Sequence, residues 1–252
     1  MSELVGIQAA IRADAVQSRD VAMVGPFVAT FDESPRNPFL NYAIPNAGAE
    51  PTRADVDALV AAYRGRERLP RLEYVTALAP AVEPVLLEAG FEVEMRTPLL
   101  AFRGGRGEAP APAGIELVDV ATAEEAYAAG VAQNEAYEET EPPTDPWVER
   151  VLQSLDSGAL RALARDAVAG EPAGAGACTP PHDGACELHS VGVRVQYRRR
   201  GIAAALTSRL AARASSTGVR TVFLMAHGDK EVALYGRVGF EHVGEVLHIS
   251  QR

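Results

Sequence analysis

Apolar side chains recur at helical spacing over residues 201–216, where Ile202, Ala205, Leu206, Leu210 and Ala214 fall on one face and Gly218 supplies a stop. Residues 219–226 are β-branched and aromatic and apolar on both parities, the pattern of a strand covered on both sides. Asp229 is placed to cap a helix running to 238, which Gly239 ends and Phe240 anchors. The first half of the chain carries the same succession: a helix at 52–64, a strand at 72–77, a helix at 81–89, then Gly90-Phe91-Glu92. A shift of 149 positions sets Gly90 on Gly239 and residues 72–92 on 221–241 without a gap. Few side chains coincide, so it is the pattern that repeats, and it reads as an internal duplication.

The pattern breaks at 104–114, which holds four glycines, two prolines and no large apolar side chain. Such a stretch cannot bury itself, and it predicts a linker at 104–113 between a module at 1–103 and a second at 114–252. A length of 252 residues suits either two small domains or one large one, and the repeat decides for two. The halves differ in chemistry, because all five histidines follow the linker.

Charge and composition narrow the function. The net charge of -10 argues against a nucleic-acid coat or broad docking on anionic membrane. The start of the chain lacks a signal-peptide pattern, no apolar run is long enough to span a bilayer, and two cysteines make no disulfide scaffold. A cytoplasmic protein is expected.

Against this acidic background, Arg194, Arg198, Arg199 and Arg200 put four positive charges within seven residues, just before the helix that begins at Gly201. Free N–H groups at a helix start, the positive dipole end and small residues at Gly201, Ala203, Ala204 and Ala205 form an anion cradle for a polyphosphate-bearing ligand. Neither of the two common phosphate-loop patterns, Gly-x-x-x-x-Gly-Lys-Ser/Thr and Gly-x-Gly-x-x-Gly after a strand, is present. In the first half the equivalent positions are Ala49-Glu50-Pro51-Thr52. A proline offers no amide and a glutamate repels an anion, so that half is expected to have kept a fold and lost a site.

Arg198-x-x-Gly201-x-Ala203, preceded by Ser190-Val-Gly-Val193 and followed by Tyr235-Gly-Arg-Val-Gly239-Phe240, resembles the GNAT superfamily of acyl-CoA-dependent N-acetyltransferases. The resemblance is clear over 114–252 and only topological over 1–103. It implies an α/β fold of two tandem GNAT-like modules, each a mixed, mostly antiparallel sheet flanked by helices; mycothiol synthases share such a layout. It also implies acetyl-CoA as co-substrate, with backbone groups of Val191, Gly192 and Val193 pairing with the pantetheine arm. Amides of Arg198, Arg199, Arg200, Gly201, Ile202, Ala203 and Ala204 would then hold the pyrophosphate, and Tyr235 would protonate the leaving thiolate.

Acetylating an amine requires a neutral nitrogen, hence a general base. Glu187 and His189 are the candidates, and strand alternation predicts that they share one face with Val191 and Val193. Family members often use a glutamate on this strand, whereas His189 has the more suitable unperturbed pKa. The family's frequent Asn after the next strand is replaced here by His227-Gly228-Asp229.

Glu135, Glu138, Glu139, Glu141 and Asp145 form an acidic stretch between the early helices of the second half, suited to attracting a small cationic amine. Cys178, His182, Cys186 and His189 match no standard zinc spacing, and Asp183-Gly184 reads as a hairpin turn, so no metal is expected. The expected protein is an N-acetyltransferase of small-molecule amines, a monomer whose N-terminal module stands in for a partner subunit, with no nucleic-acid or membrane partner. The alternatives are a non-catalytic acyl-CoA-binding sensor and a protein N-terminal acetyltransferase.

Overall fold

The computed structural model describes residues 2–17, 19–33, 40–104 and 109–252. The first elements are α1 (Ser2–Gln17), β1 (Asp20–Val24), β2 (Phe27–Phe31), β3 (Ala43–Pro45), α2 (Arg53–Arg64), β4 (Arg71–Val75), α3 (Val82–Glu88) and β5 (Glu92–Phe102). There follow β6 (Ile115–Asp119), α4 (Ala123–Ala136), α5 (Asp145–Asp156), β7 (Leu160–Asp166), β8 (Pro172–Cys178) and β9 (Ala185–Val193). The chain closes with α6 (Ile202–Ser216), β10 (Thr221–Met225), α7 (Asp229–Val238) and β11 (Phe240–Ser250). Both predicted helix–strand–helix successions are present, with ends within a few residues of those the pattern predicts.

Contacts divide the chain into two compact units. Unit 1 holds residues 1–99, 225–228 and 242–252, and unit 2 holds 100–224 and 229–241. The last residues of the chain thus pack with the first ninety-nine, although they follow the second half in sequence. Within the expected linker, residues 105–108 lie outside the described residues. Residues 109–113 belong to unit 2, where the Ala109 N–H donates to Ser208 Oγ at 2.8 Å.

In unit 2 the strand order is β10-β9-β8-β7-β6. Only β10 and β9 run parallel; the other pairs are antiparallel, as the family resemblance implies. Capping boxes and prolines start the helices that cover one face. Thr122 and Glu125 cap each other's backbone at the start of α4, and Thr144 caps α5 just ahead of Pro146. Ala126, Ala129 and Ala132 of α4 and Val148 and Val151 of α5 pack with Leu163 and Ala175 of the sheet. The opposite face takes α6: a Cβ on Gly176 of β8 would come within 3.0 Å of Leu210. Small residues set both spacings. On α4, a Cβ at Gly130 would lie 2.7 Å from the Trp147 ring, so the glycine admits the indole. The turn between β8 and β9 falls at Asp183-Gly184 as expected, both with positive φ. Cys178 and Cys186 are buried on these neighbouring strands, and their mutual hydrogen bond, then burial, push the Cys178 thiol up.

Unit 1 has the strand order β1-β2-β3-β4-β11-β5, with β3 and β4 parallel and the neighbouring pairs β1/β2, β2/β3 and β4/β11 antiparallel. Its helix α2 begins where the pattern predicts, on Thr52, and buries Val56, Leu59 and Tyr63 at helical spacing. Under β4 and β11 sits a buried ionic cluster. The Arg71 side chain is 0% exposed, 2.9 Å from Glu94 and 3.3 Å from Glu73. His248 Nδ1 lies 3.0 Å from Arg71 Nη2 and 3.2 Å from Glu73 Oε2. Burial pushes the Glu73 carboxyl up, but contacts from His248 and Arg71 outweigh it and leave the group below its ordinary value. A carboxylate depressed in the folded state stabilises above its unfolded pKa, and that contribution disappears as pH falls through the folded value. Glu73→Gln is expected to cost about 3 kcal/mol near neutral pH, because it takes a carboxylate away from a fully buried guanidinium. Urea unfolding from pH 7 to pH 3 checks this, and the gap between wild type and variant should narrow as the pH drops below about 4.

Candidate active site

The residues predicted to bind the co-substrate or move protons lie in unit 2, on β9, the loop leading into α6, the start of α6, and α7, whereas His227 and Gly228 belong to unit 1. The parallel register of β10 on β9 runs from Thr221↔Ala185 to Phe223↔Glu187. Beyond that pair β9 continues to Val193 with no further β10 partner, so its second half presents an open edge on that side. The Arg194 N–H donates to Ala173 O of β8 at 3.0 Å. Since backbone groups alternate sides along a strand, the Val193 N–H points away from β8, toward the open edge.

The predicted sharing of one face by Glu187, His189, Val191 and Val193 is not what the structure shows. Ala177 pairs with His189 and Ala175 with Gly192, so two steps on β8 meet three on β9. The extra residue is a β-bulge at Ser190, whose φ is 54°. Ala175 packs with α4 and α5, which places Ala177, and hence His189 and Glu187, on that face. After the bulge the parity is reversed. Val191 lies 3.2 Å from a Cβ built on Gly176, on the α6 side, and Gly192 turns toward α4. A Cβ on Gly192 would meet Ala136 Cβ at 2.8 Å and the Tyr137 ring at 3.5 Å, so only a glycine lets α4 come this close. Glu187, His189 and Gly192 therefore share a face, and Val191 and Val193 lie on the other.

Around the bulge lies a polar network that the motif reading does not contain. Ser190 O accepts from Gln133 Nε2 at 2.7 Å, and Gln133 Oε1 accepts from Arg161 Nη1 at 2.5 Å. Arg161 also stacks on Trp147, 5.2 Å from the ring centroid. His189 Nδ1 lies 2.9 Å from Ser190 Oγ. Burial, and then the charge of Arg161, lower the His189 pKa to about 4, so the imidazole is neutral at pH 7. The attraction of His189 as a base with an unperturbed pKa is thereby removed. No sequence motif marks Gln133 or Arg161, although Trp147, the one tryptophan of the chain, is a signal that could have drawn attention to this face.

The start of α6 forms as predicted. Gly201 stands at the N-cap with φ 85°, and no side chain caps the helix. Arg199, two residues earlier, is also left-handed, with φ 62°. Among the described residues, the amides of Arg199 to Ala204 donate to no acceptor, and left-handed residues close together in a loop form an anion nest. The Arg198 amide, by contrast, is taken by Val195 O at 3.2 Å within the 3₁₀ turn Val195–Tyr197, so the open run begins one residue later than expected. The start of α2 is built the other way: the Asp55 carboxylate accepts the Thr52 N–H at 2.8 Å.

The four arginines do not form one pool of free charge. Arg194 binds Glu135 through two nitrogens, at 2.5 and 3.0 Å, and donates to Pro172 O. Arg198 bridges Val193 O and Ala136 O, tying the end of β9 to the end of α4. Arg200 donates to Ala113 O at 3.1 Å. The acidic stretch divides similarly. Glu135 is spent on Arg194, and Asp145 sits in the first turn of α5, while Glu138, Glu139 and Glu141 are exposed.

Tyr235 lies on α7 with its ring edge-on to Phe240, 6.1 Å between centroids. Burial, then Glu231 and Tyr137, raise its phenol well above its ordinary value, so it stays protonated. Tyr137, which follows α4 and is 53% exposed, thus stands close both to Gly192 and to Tyr235. No three metal-ligating side chains cluster among the described residues, and no helix among them is long and apolar enough to cross a membrane.

Residues 127–240 match the acetyltransferase (GNAT) family. The chain is similar in structure to a GCN5-related N-acetyltransferase from Kribbella flavida, at 26% identity and TM-score 0.81, over 98% of this chain and 95% of that one. A GCN5-related N-acetyltransferase from Sphaerobacter thermophilus aligns at 17% identity and TM-score 0.68, over 98% and 90%. A tandem GNAT protein from the clavulanic acid biosynthesis pathway aligns at 18% identity and TM-score 0.63, over 89% and 77%. No curated protein matches the chain. With its strand order, open β9 edge and uncapped helix start, the region from 127 to 240 belongs to the GNAT family of acetyltransferases.

Proposed function

We propose that the protein transfers an acetyl group from acetyl-CoA to the amine of a small molecule, and that unit 2 does so. The observation that carries this reading is the open edge of β9 beyond Glu187, leading to a helix start whose amides have no acceptor. Acetyl-CoA supplies an activated acyl carbon and a pyrophosphate. The nest from Arg199 to Ala204 fits the pyrophosphate, since it offers backbone donors and no carboxylate. Val191, Gly192 and Val193 fit the pantetheine arm as an added strand.

The chain's own groups then have to move two protons. Glu187 takes the proton of the acceptor ammonium, because His189, with its pKa of about 4, holds a proton no better than a carboxylate does. His189 accompanies Glu187 on the same face and orients Ser190 Oγ. As the amine nitrogen bonds to the acetyl carbon and the C–S bond breaks, Tyr235, kept protonated by its surroundings, gives a proton to the departing sulfur, and the second proton that the nitrogen loses in becoming an amide restores the phenol. The exposed Glu138, Glu139 and Glu141 draw a cationic amine toward this face. Unit 1 supports the fold and is not assigned a ligand: the anion position at the start of α2 is filled by Asp55.

Tyr235→Phe is expected to lower kcat by about a hundredfold with KM for the amine little changed, measured by thiol release. Joint replacement Glu138→Gln and Glu139→Gln should raise KM for cationic amines a few-fold at low salt, an effect that fades as salt is added.

A further inference from the structure

Arg161, a half-buried cation of unit 2, lacks the carboxylate partner that several neighbouring arginines have. Arg165 pairs with Glu116, Arg194 with Glu135, and Arg209 and Arg213 with Asp119. Arg161 has no carboxylate partner among the described residues, yet it is removed from water enough to lower its guanidinium to about 10. Its neighbours are the Trp147 ring on one face and the Gln133 amide oxygen at one end. Arg161 lies across Ala177 from His189, in the row of β7, β8 and β9 that faces α4 and α5. Arg161, Trp147, His189 and Ser190 are each partly exposed, so the cluster opens to solvent. A partly desolvated cation without a counter-ion is a cost to the folded chain that a bound anion repays.

We propose that Arg161 binds a carboxylate of the acceptor, which makes the substrate an amine that also carries a carboxylate, an amino-acid-like molecule. The inference rests on the acetyl-transfer reading of the same face and names its substrate class. A guanidinium whose ring-facing side is covered and one of whose ends is held presents its remaining N–H groups in a plane, the geometry of a bidentate carboxylate contact. A single cation suits one negative charge better than the double charge of a phosphate. The exposed acids at 138, 139 and 141 suit the other end of such a molecule, its ammonium. Gln133 links the two halves of the site, because its amide holds Arg161 by its oxygen and the Ser190 carbonyl by its nitrogen. A carboxylate on Arg161 would therefore be sensed at the bulge that turns β9.

Trp147 is the only tryptophan, so its emission reports on this site without a label. The full-length protein is titrated with the common α-amino acids and with their carboxamides, first by Trp147 fluorescence and then by thiol release with acetyl-CoA. At least one amino acid is expected to bind and turn over about tenfold better than its carboxamide, the worth of one charge-assisted contact. Arg161→Gln should raise KM for that acid about tenfold, leave kcat and the carboxamide's KM in place, and Arg161→Lys should recover part of the loss. Equal handling of acid and amide by the wild type overturns the proposal. So does an Arg161→Gln variant that loses both substrates equally along with thermal stability, since that is a structural role. Acid-selective fluorescence without turnover of any amine keeps the carboxylate site and removes the acetyl-transfer reading; turnover without acid selectivity does the reverse.

Discussion

The extra residue at Ser190 is the constraint on which the geometry of unit 2 depends. A regular β9 would hold one parity to its end and would set Gly192 and Glu187 on opposite faces. With the bulge, the strand's first half turns Glu187 and His189 toward α4 and α5, and its second half turns Val191 toward α6. The same residue holds its left-handed φ because the surroundings secure it: Gln133 donates to its carbonyl, and His189 shares its hydroxyl. Close approach of α4 at Gly192 of β9 and of α6 at Gly176 of β8 then clamps the two strands between two helices. A small residue is needed at each contact, which explains why β8 is so poor in large side chains and why β9 carries a glycine at 192.

Electrostatics in this unit follow from which charges are already spent. Arg194 and Arg198 read in the sequence as ligand-facing cations, but their guanidinium groups brace the ends of α4 and β9. What remains for an anion at α6 is mostly backbone: amides oriented by left-handed Arg199 and Gly201 and reinforced by the helix dipole. The contrast with α2 is chemical. Thr52 and Asp55 satisfy that helix start from within, whereas left-handed Gly201 brings no side-chain cap to α6.

Much of this was legible in the sequence. Apolar patterning located α2, α3, α6, β4 and β10, because each buries apolar residues that are neighbours in sequence, and the Asp229 cap and Gly239 stop located α7, which buries no residue of its own. The uncapped helix start at Gly201 was legible too, since small residues and a missing cap are themselves sequence features. The bulge was not, because strand alternation carries no mark of an inserted residue and Ser190 is an ordinary residue for a strand edge. Arg161 escaped for a related reason: its meaning lies in the absence of a partner, and only the fold decides which carboxylates come near. The low His189 pKa likewise depends first on burial and then on Arg161, twenty-eight positions away and across two strand pairs, neither of which the local sequence marks.

The assignment of residues 242–252 to unit 1 bears on how the molecule is made. Strand β4 lies near the middle of the unit 1 sheet and pairs with β11 from Val75↔Val246 to Arg71↔Ser250. Synthesis delivers β4 before unit 2 and the paired part of β11 after it. Unit 1 therefore waits with an unpaired β4 edge, and with Arg71 short of His248, while the whole of unit 2 is being translated. At roughly 5–20 residues per second that wait lasts on the order of ten seconds. The nested order means that unit 1 cannot be cut from the gene as one uninterrupted piece.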